Sequence, residues 1–374
     1  MRKLSKLILA LSFVVSVTSS AFAVTVASWG GAYTDSQKQG YGDPTAAALG
    51  IDINWVDYSG GLSEIKAQKE AGAINWDIID VFAFDTINGC DEGLFVKFDF
   101  DKDFPAAPDG TPASKDFFAP MPSECAVGNI LYSWNYAFDT RAFDGKEPKT
   151  IKDFFNTKKF PGKRAIYKSA LTNLEIALAA DGVNMGKGGE LLYRKLEEEG
   201  GVDRAMNKIK ELCTDPNGGC VFWSAGAQPP ELLVAGEVVM ATGWNGRFFN
   251  AEVGEGAPIK QVWHGQGLDY EYFVQVKGGP NDANGNAKKA LAMMTNTEML
   301  AGSAKYIAYA PYRISSLDII KANEPWYKDG KTEMMPQMPT SPQNTKKYFL
   351  VDPYYWADNG TEIGEKWEAM KAGL

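Results

Sequence analysis

The chain reads as an α/β protein of two domains, and three observations predict it. Apolar β-branched runs alternate with helical ones along its whole length. One strand–helix–strand succession, residues 51–84, fits in about thirty residues, the length of a crossover that returns a parallel strand. About 351 of the 374 residues remain after a removable leader, more than one core usually serves.

The leader comes first. Arg2, Lys3 and Lys6 form a basic start, "LILALSFVVSV" is apolar but too short to span a bilayer, and Ala21-Phe22-Ala23 fits a signal-peptidase site. Cleavage after Ala23 and export of a soluble product are expected. Losing those three cations takes the formal charge from −9 to −12. Such acidity argues against nucleic acid or anionic lipid as partner.

Strands follow at "VTVAS" (24–28), "IDINWVD" (51–57) and "WDIIDVFAF" (76–84), with a helix from Ser63 to Gly72 between the last two. Further strands are expected at 129–138, 164–168, 237–244, 259–264 and 270–277. Helices are expected at 173–181, 189–199, 202–212 and 286–309. No Pro- or Ser-rich tether separates the halves. Two domains must then be joined by strand-like crossings, which suits a hinge.

Four cysteines lie beyond the leader, an even number in an exported chain. "CTDPNGGC" holds a strong turn composition that brings Cys213 to Cys220, leaving Cys90 for Cys125. Neither pair has zinc-ligand spacing, and His264 is the only histidine.

Catalytic patterns are scarce. One histidine excludes HExxH, and a serine triad would need His264, yet no G-x-S-x-G elbow accompanies it. No P-loop occurs, and "GKGGELL" and "GEGAPIKQ" lack the strand–turn–helix context of a dinucleotide fingerprint. No pair among the many carboxylates stands out as a glycosidase pair. No cofactor is implied.

Aromatics gather beside glycine at strand ends: Trp29 and Tyr33 in "SWGGAY", Trp244 in "GWNGRFF", Tyr270 and Tyr272 in "LDYEYF", Tyr309 and Tyr312 in "YAPYR". Open α/β sheets bind ligands beyond the carboxyl ends of their strands. Aromatic faces there attract ammonium groups at about 0.5–2 kcal/mol each. The strand-end aromatics Trp29, Tyr33 and Trp244 thus read as cleft walls, while one of Tyr270 and Tyr272 is expected to face the core.

These segments carry a resemblance. "VTVASWGGAYTDS", "YSGGLSEIKAQKEAGAINWDIIDV", "FPGKRAIYKSALTNLEIALAADGV", "GEVVMATGWNGRFFNA" and "AYAPYRISS" resemble the extracellular solute-binding proteins of bacterial ABC transporters, in the spermidine/putrescine-binding branch. The resemblance implies a type II periplasmic-binding-protein fold: two lobes, each a mixed sheet flanked by helices, with a ligand cleft between them. Lobe one would hold 24–138 and 267–313, and lobe two 139–266 and 314–374. A monomer delivering a small amine-bearing or amino-acid-like solute to an inner-membrane permease with a separate ATPase subunit is implied. An exported carbohydrate hydrolase and a sensory binding protein on the same scaffold are the alternatives.

In polyamine-binding relatives, aromatics box the methylene chain and acids hold the ammonium ends. By resemblance, Trp29, Tyr33 and Trp244 match box residues, Tyr309 or Tyr312 a cleft tyrosine, and Asp269 or Glu271 an ammonium-binding carboxylate. Phe82 falls where relatives have a contacting serine. Arg247 is the main departure, standing where those relatives place an amine-binding aspartate. A guanidinium there repels a diamine and attracts a carboxylate. A cleft-facing Arg247 selects an ω-amino acid or opine-like conjugate; the alternative is a solvent-facing Arg247 or one paired with Glu252. Glu175 is expected on the wet face of its helix, with the cleft as the alternative.

Overall fold

The structure is a computed structural model that describes residues 23–374; the expected leader lies outside the described residues. Ten strands form one sheet: β1 (Val24–Ser28), β2 (Ile53–Asp57), β3 (Ile78–Phe82), β4 (Ala126–Asp139), β5 (Arg164–Tyr167), β6 (Cys220–Trp223), β7 (Met240–Trp244), β8 (Ile259–Gln275), β9 (Ala310–Pro311) and β10 (Tyr348–Leu350). Their order is β2-β1-β3-β8-β4-β7-β5-β6, with β9 on β4 and β10 on β8. β1 pairs in parallel with β2 and β3, and β5 in parallel with β6 and β7. The expected parallel crossovers thus form the two ends of the sheet.

The middle is antiparallel and long. β4 runs 14 residues and β8 17, and at ~3.4 Å per residue β4 alone spans almost 50 Å. The second part of β8 pairs with β3, and the second part of β4 with β7. Two continuous strands therefore connect the β1 end to the β5 end, the crossings the sequence called for.

Sequence expectation and structure differ in places that have physical reasons. The strands expected at 259–264 and 270–277 merge into one that ends at Gln275, since Gly265, at φ +85°, stays inside β8. A Cβ on Gly267 would come 2.6 Å from the Phe349 ring of β10, so this second glycine serves close packing and makes no turn. The helix expected over 286–309 is two, Asn286–Met294 and Thr297–Ser303. Asn296 caps the second by accepting from the Met299 N–H at 2.9 Å. β6 was not anticipated, because four residues directly after the "DPNGG" turn carry too little pattern.

Cores lie on both ends. Trp134, Phe154, Leu174, Leu178 and Ile209 pack together at the β5 end. Val24, Val26, Phe273 and Leu291 form one cluster at the β1 end, and Ala27, Ile79 and Val81 another. The stretch after Arg313, expected in the second lobe, packs at the β1 end: Ile320, Tyr327 and Met334 join Val24 and Val26. Buried Arg313 holds it there by pairing with Asp116 at 2.9 Å. The last helix, Pro353–Ala372, returns to the β5 end through Trp356 and Trp367. Both disulfides are present, Cys90–Cys125 and Cys213–Cys220. No helix among the described residues is long and apolar enough to cross a membrane.

Candidate functional site

β1, β3 and β7 all finish at one place between the two ends of the sheet. Trp29 follows β1, Phe82 closes β3 and Trp244 closes β7. Their rings meet: Trp29 lies 4.5 Å from Phe82 and 5.5 Å from Trp244, centroid to centroid. Gly30 makes the turn after Trp29 at φ +67°, where a Cβ would also come 3.0 Å from an Asp57 oxygen. The helix Gly31–Gln37 then starts and buries Tyr33, which meets Tyr309 edge-on at 5.1 Å.

These residues enclose a small cavity of about 20 Å³, completed by Ile130, Tyr132 and Glu271. Sequence reasoning missed Ile130 and Tyr132, which come from the middle of β4. It also missed the backing: Trp134 and Trp223 stand 5.4 and 5.3 Å from Trp244, and Tyr58 stands 5.0 Å from Trp29. The alternation Tyr132, Trp134, Tyr136 in one strand was the available signal.

The predicted alternatives separate. Glu271 lines the cavity and Asp269 does not; Tyr309 lines it and Tyr312 does not. Asp269 accepts from the Tyr132 hydroxyl at 2.6 Å and from Trp134 Nε1 at 3.2 Å, just behind the wall. Tyr312 packs on Phe117 and shares a 2.8 Å hydrogen bond with the Tyr272 hydroxyl. Tyr272 is buried and Tyr270 half-buried, both away from the cavity.

Arg247 points inward. It is 3 % exposed, and its Nη2 donates to the Trp29 carbonyl at 3.1 Å. Its guanidinium lies 5.7 Å from the Tyr33 ring and 6.0 Å from that of Trp244. The suggested partner Glu252 accepts from Gln261 instead. Asn245 aims the short helix Asn245–Phe249 that carries Arg247. Its side chain accepts from the Ser133 N–H at 2.9 Å and donates to the Ala308 carbonyl at 2.7 Å. Glu175 is a correction: it is fully buried and accepts from Tyr193 and Trp356 at 2.9 and 2.8 Å.

The electrostatics are lopsided. Glu271 accepts from Trp29 Nε1 at 2.7 Å, yet burial, then Asp80 and Asp269, hold its carboxyl well above the usual range. Burial likewise raises Asp80 and Asp85 to about 7 and Asp269 to about 6. Against these acids stands Arg247; burial lowers its pKa, but a guanidinium keeps its charge in proteins. Several buried polar atoms find no protein partner: Trp244 Nε1 and Arg247 Nε as donors, an oxygen of Asp80 as acceptor. Such atoms call for a reason, and a bound polar solute supplies one.

A stability consequence follows. Asp80, Asp85 and Glu175 have folded pKa values near 7, above the roughly 4 of an unfolded chain. The folded protein keeps protons that the unfolded chain releases. Their contribution is full below about pH 4 and is lost as pH rises through about 7. The melting temperature of the ligand-free protein should therefore fall from pH 5 to pH 8, read by differential scanning calorimetry. A rise over that window would contradict it.

Known proteins resemble this chain over nearly its whole length. The family model for bacterial extracellular solute-binding protein matches residues 41–337. The gamma-aminobutyric acid-binding protein of Pseudomonas aeruginosa is 34% identical over 362 residues, 97% of this chain and 94% of that one. The binding protein MotA from A. tumefaciens B6, solved in complex with glucopine, is 29% identical with a TM-score of 0.80, over 93% of this chain and 99% of that one. A solved GABA receptor is also 29% identical, with a TM-score of 0.75 over 93% and 97% of the two chains. With strand-end aromatics closing on a cavity between two sheet ends, and with these matches, the chain belongs to the bacterial extracellular solute-binding protein family, the substrate-binding components of ABC transporters, and has their type II periplasmic-binding-protein fold.

Proposed function

We propose that the protein captures a small ω-amino acid, of which γ-aminobutyrate is the type, and presents it in the periplasm to an ABC permease. One observation carries the reading: buried Glu271 lines an aromatic cavity, buried Arg247 stands 5.7 and 6.0 Å from that cavity's Tyr33 and Trp244 rings, and Arg247 Nε and Trp244 Nε1 lack partners. An ammonium end meets Glu271 and the faces of Trp29 and Trp244. A carboxylate end meets the guanidinium and the Trp244 N–H. At about 20 Å³ the cavity has room for roughly one water, so the solute enters it only in an arrangement opened wider along β4 and β8. The relatives described as GABA-binding support this solute. A diamine would place one of its ammonium groups against Arg247, so the polyamine alternative is disfavoured.

Transport needs a change the permease can read. Trp29 belongs to the β1 end, whereas Trp244 closes β7 and leads into Arg247. Solute that touches both ends of the sheet favours the closed arrangement by its differential affinity, with β4 and β8 as the hinge. The lobes are then the β1 end with residues 314–338 and the β5 end with the last helix.

A thermal-shift panel of ω-amino acids, α-amino acids, polyamines and sugars tests the solute class. At a concentration of 100 Kd a true ligand stabilises by about 2.7 kcal/mol. γ-Aminobutyrate should give the larger shift, and a larger one with putrescine would overturn the reading. Trp244→Ala should weaken γ-aminobutyrate binding at least tenfold, ~1.4 kcal/mol, in a calorimetric titration. Unchanged affinity would remove Trp244 from the site.

A further inference from the structure

Arg247 stands between two spaces. On one side lie the Tyr33 and Trp244 rings of the aromatic cavity. On the other it lines a solvent-open groove of about 600 Å³. One wall of that groove is the helix Gly31–Gln37 and the π-helical stretch Lys38–Gly42 that continues it, with Asp35 and Gln39. The other is the helix Gln228–Val234, with Glu231 and Val234. Arg247 is 3 % exposed, and its Nε has no partner.

The opposite end of the cavity is closed. Glu271 sits on β8 in the middle of the sheet and is 3 % exposed, beneath the Trp29 indole that donates to it. The two ends of a bound ω-amino acid thus face different surroundings: the amine a packed aromatic wall, the acid a guanidinium with open space beyond it.

We infer that the site admits ω-amino acids carrying a polar substituent on the carbon beside the carboxylate, the substituent lying in the groove between Asp35 and Glu231, while it rejects any substituent on the amine. This inference rests on the reading of the solute as an ω-amino acid. It assigns the groove as a second compartment of the site. The groove is lined by Asp35, Glu231 and Glu255 against Lys328 and Arg247. Once the solute's carboxylate has taken Arg247, acids outnumber cations there. A neutral amide or hydroxylated substituent fits this lining, and a second carboxylate does not.

Three probes that all keep both charges decide it: γ-aminobutyrate, Nα-acetyl-2,4-diaminobutyrate, substituted beside the acid, and 4-(propylamino)butyrate, substituted on the amine. By calorimetric titration of the intact protein, the acetylated compound should bind within about tenfold of γ-aminobutyrate and the propylated one at least a hundredfold more weakly. Val234, 43 % exposed on the groove wall, can be enlarged without touching the core. Val234→Trp should lower the affinity of the acetylated compound relative to γ-aminobutyrate at least tenfold. If γ-aminobutyrate binds but the acetylated compound is excluded as strongly as the propylated one, the groove assignment falls and the ω-amino acid reading stands. Should γ-aminobutyrate itself not bind, both fall. An unchanged ratio in Val234→Trp would also overturn the assignment.

Discussion

Glu271→Gln should lower the affinity for γ-aminobutyrate about a hundredfold, ~2.7 kcal/mol, with no loss of stability. Removing one member of a buried charge pair leaves the other uncompensated, and such truncations commonly cost 2–5 kcal/mol or more. The amide keeps the shape of the side chain, so its oxygen still accepts from Trp29 Nε1. It also removes a carboxyl whose ionisation burial, Asp80 and Asp269 oppose. The ligand-free melting temperature at pH 8 should hold or rise. Calorimetry of binding and of unfolding on the same sample separates the two effects. Wild-type affinity in the variant would take Glu271 out of the site.

Arg247→Asp should reverse the charge preference. γ-Aminobutyrate loses its carboxylate partner and meets a repelling charge, a loss of at least a hundredfold, or ~2.7 kcal/mol. Putrescine should gain on it, because both of its ammonium groups then face a carboxylate. Arg247→Gln is the gentler companion. It fills similar space at a 3 % exposed position and should lose γ-aminobutyrate affinity without favouring the diamine. Parallel titrations of both variants with the two compounds read this directly. A variant that keeps the wild-type preference would show that the guanidinium does not meet the solute.

Much of this was written in local pattern. β1, β5 and β7 are bounded by turns and were legible as strands, and Trp29 and Trp244 announced themselves by standing at strand ends beside glycine. Phe82 and Arg247 entered through the family resemblance, and the structure sets Phe82 in the cavity wall and the Arg247 guanidinium 5.7 Å from the Tyr33 ring. Ile130 and Tyr132 were not legible, because they reach the cavity from mid-strand. Only the crossing of β4 between the two ends of the sheet exposes its middle there, and a crossing is a long-range property. Asp269 and Glu271 share a face two residues apart, so alternation could not choose between them. Glu175 is different. Its helix, "NLEIALAA", is apolar on every side, the mark of a buried helix, so the wet face assigned to it never existed.

The central claim is that the solute is held at both charged ends at once. Its most direct test is one set of calorimetric titrations, in one buffer, with γ-aminobutyrate, putrescine and butyrate. The account predicts saturable binding of γ-aminobutyrate and affinities at least a hundredfold weaker for both analogues, each of which lacks one of the two opposite charges. Putrescine binding as tightly as γ-aminobutyrate would contradict it.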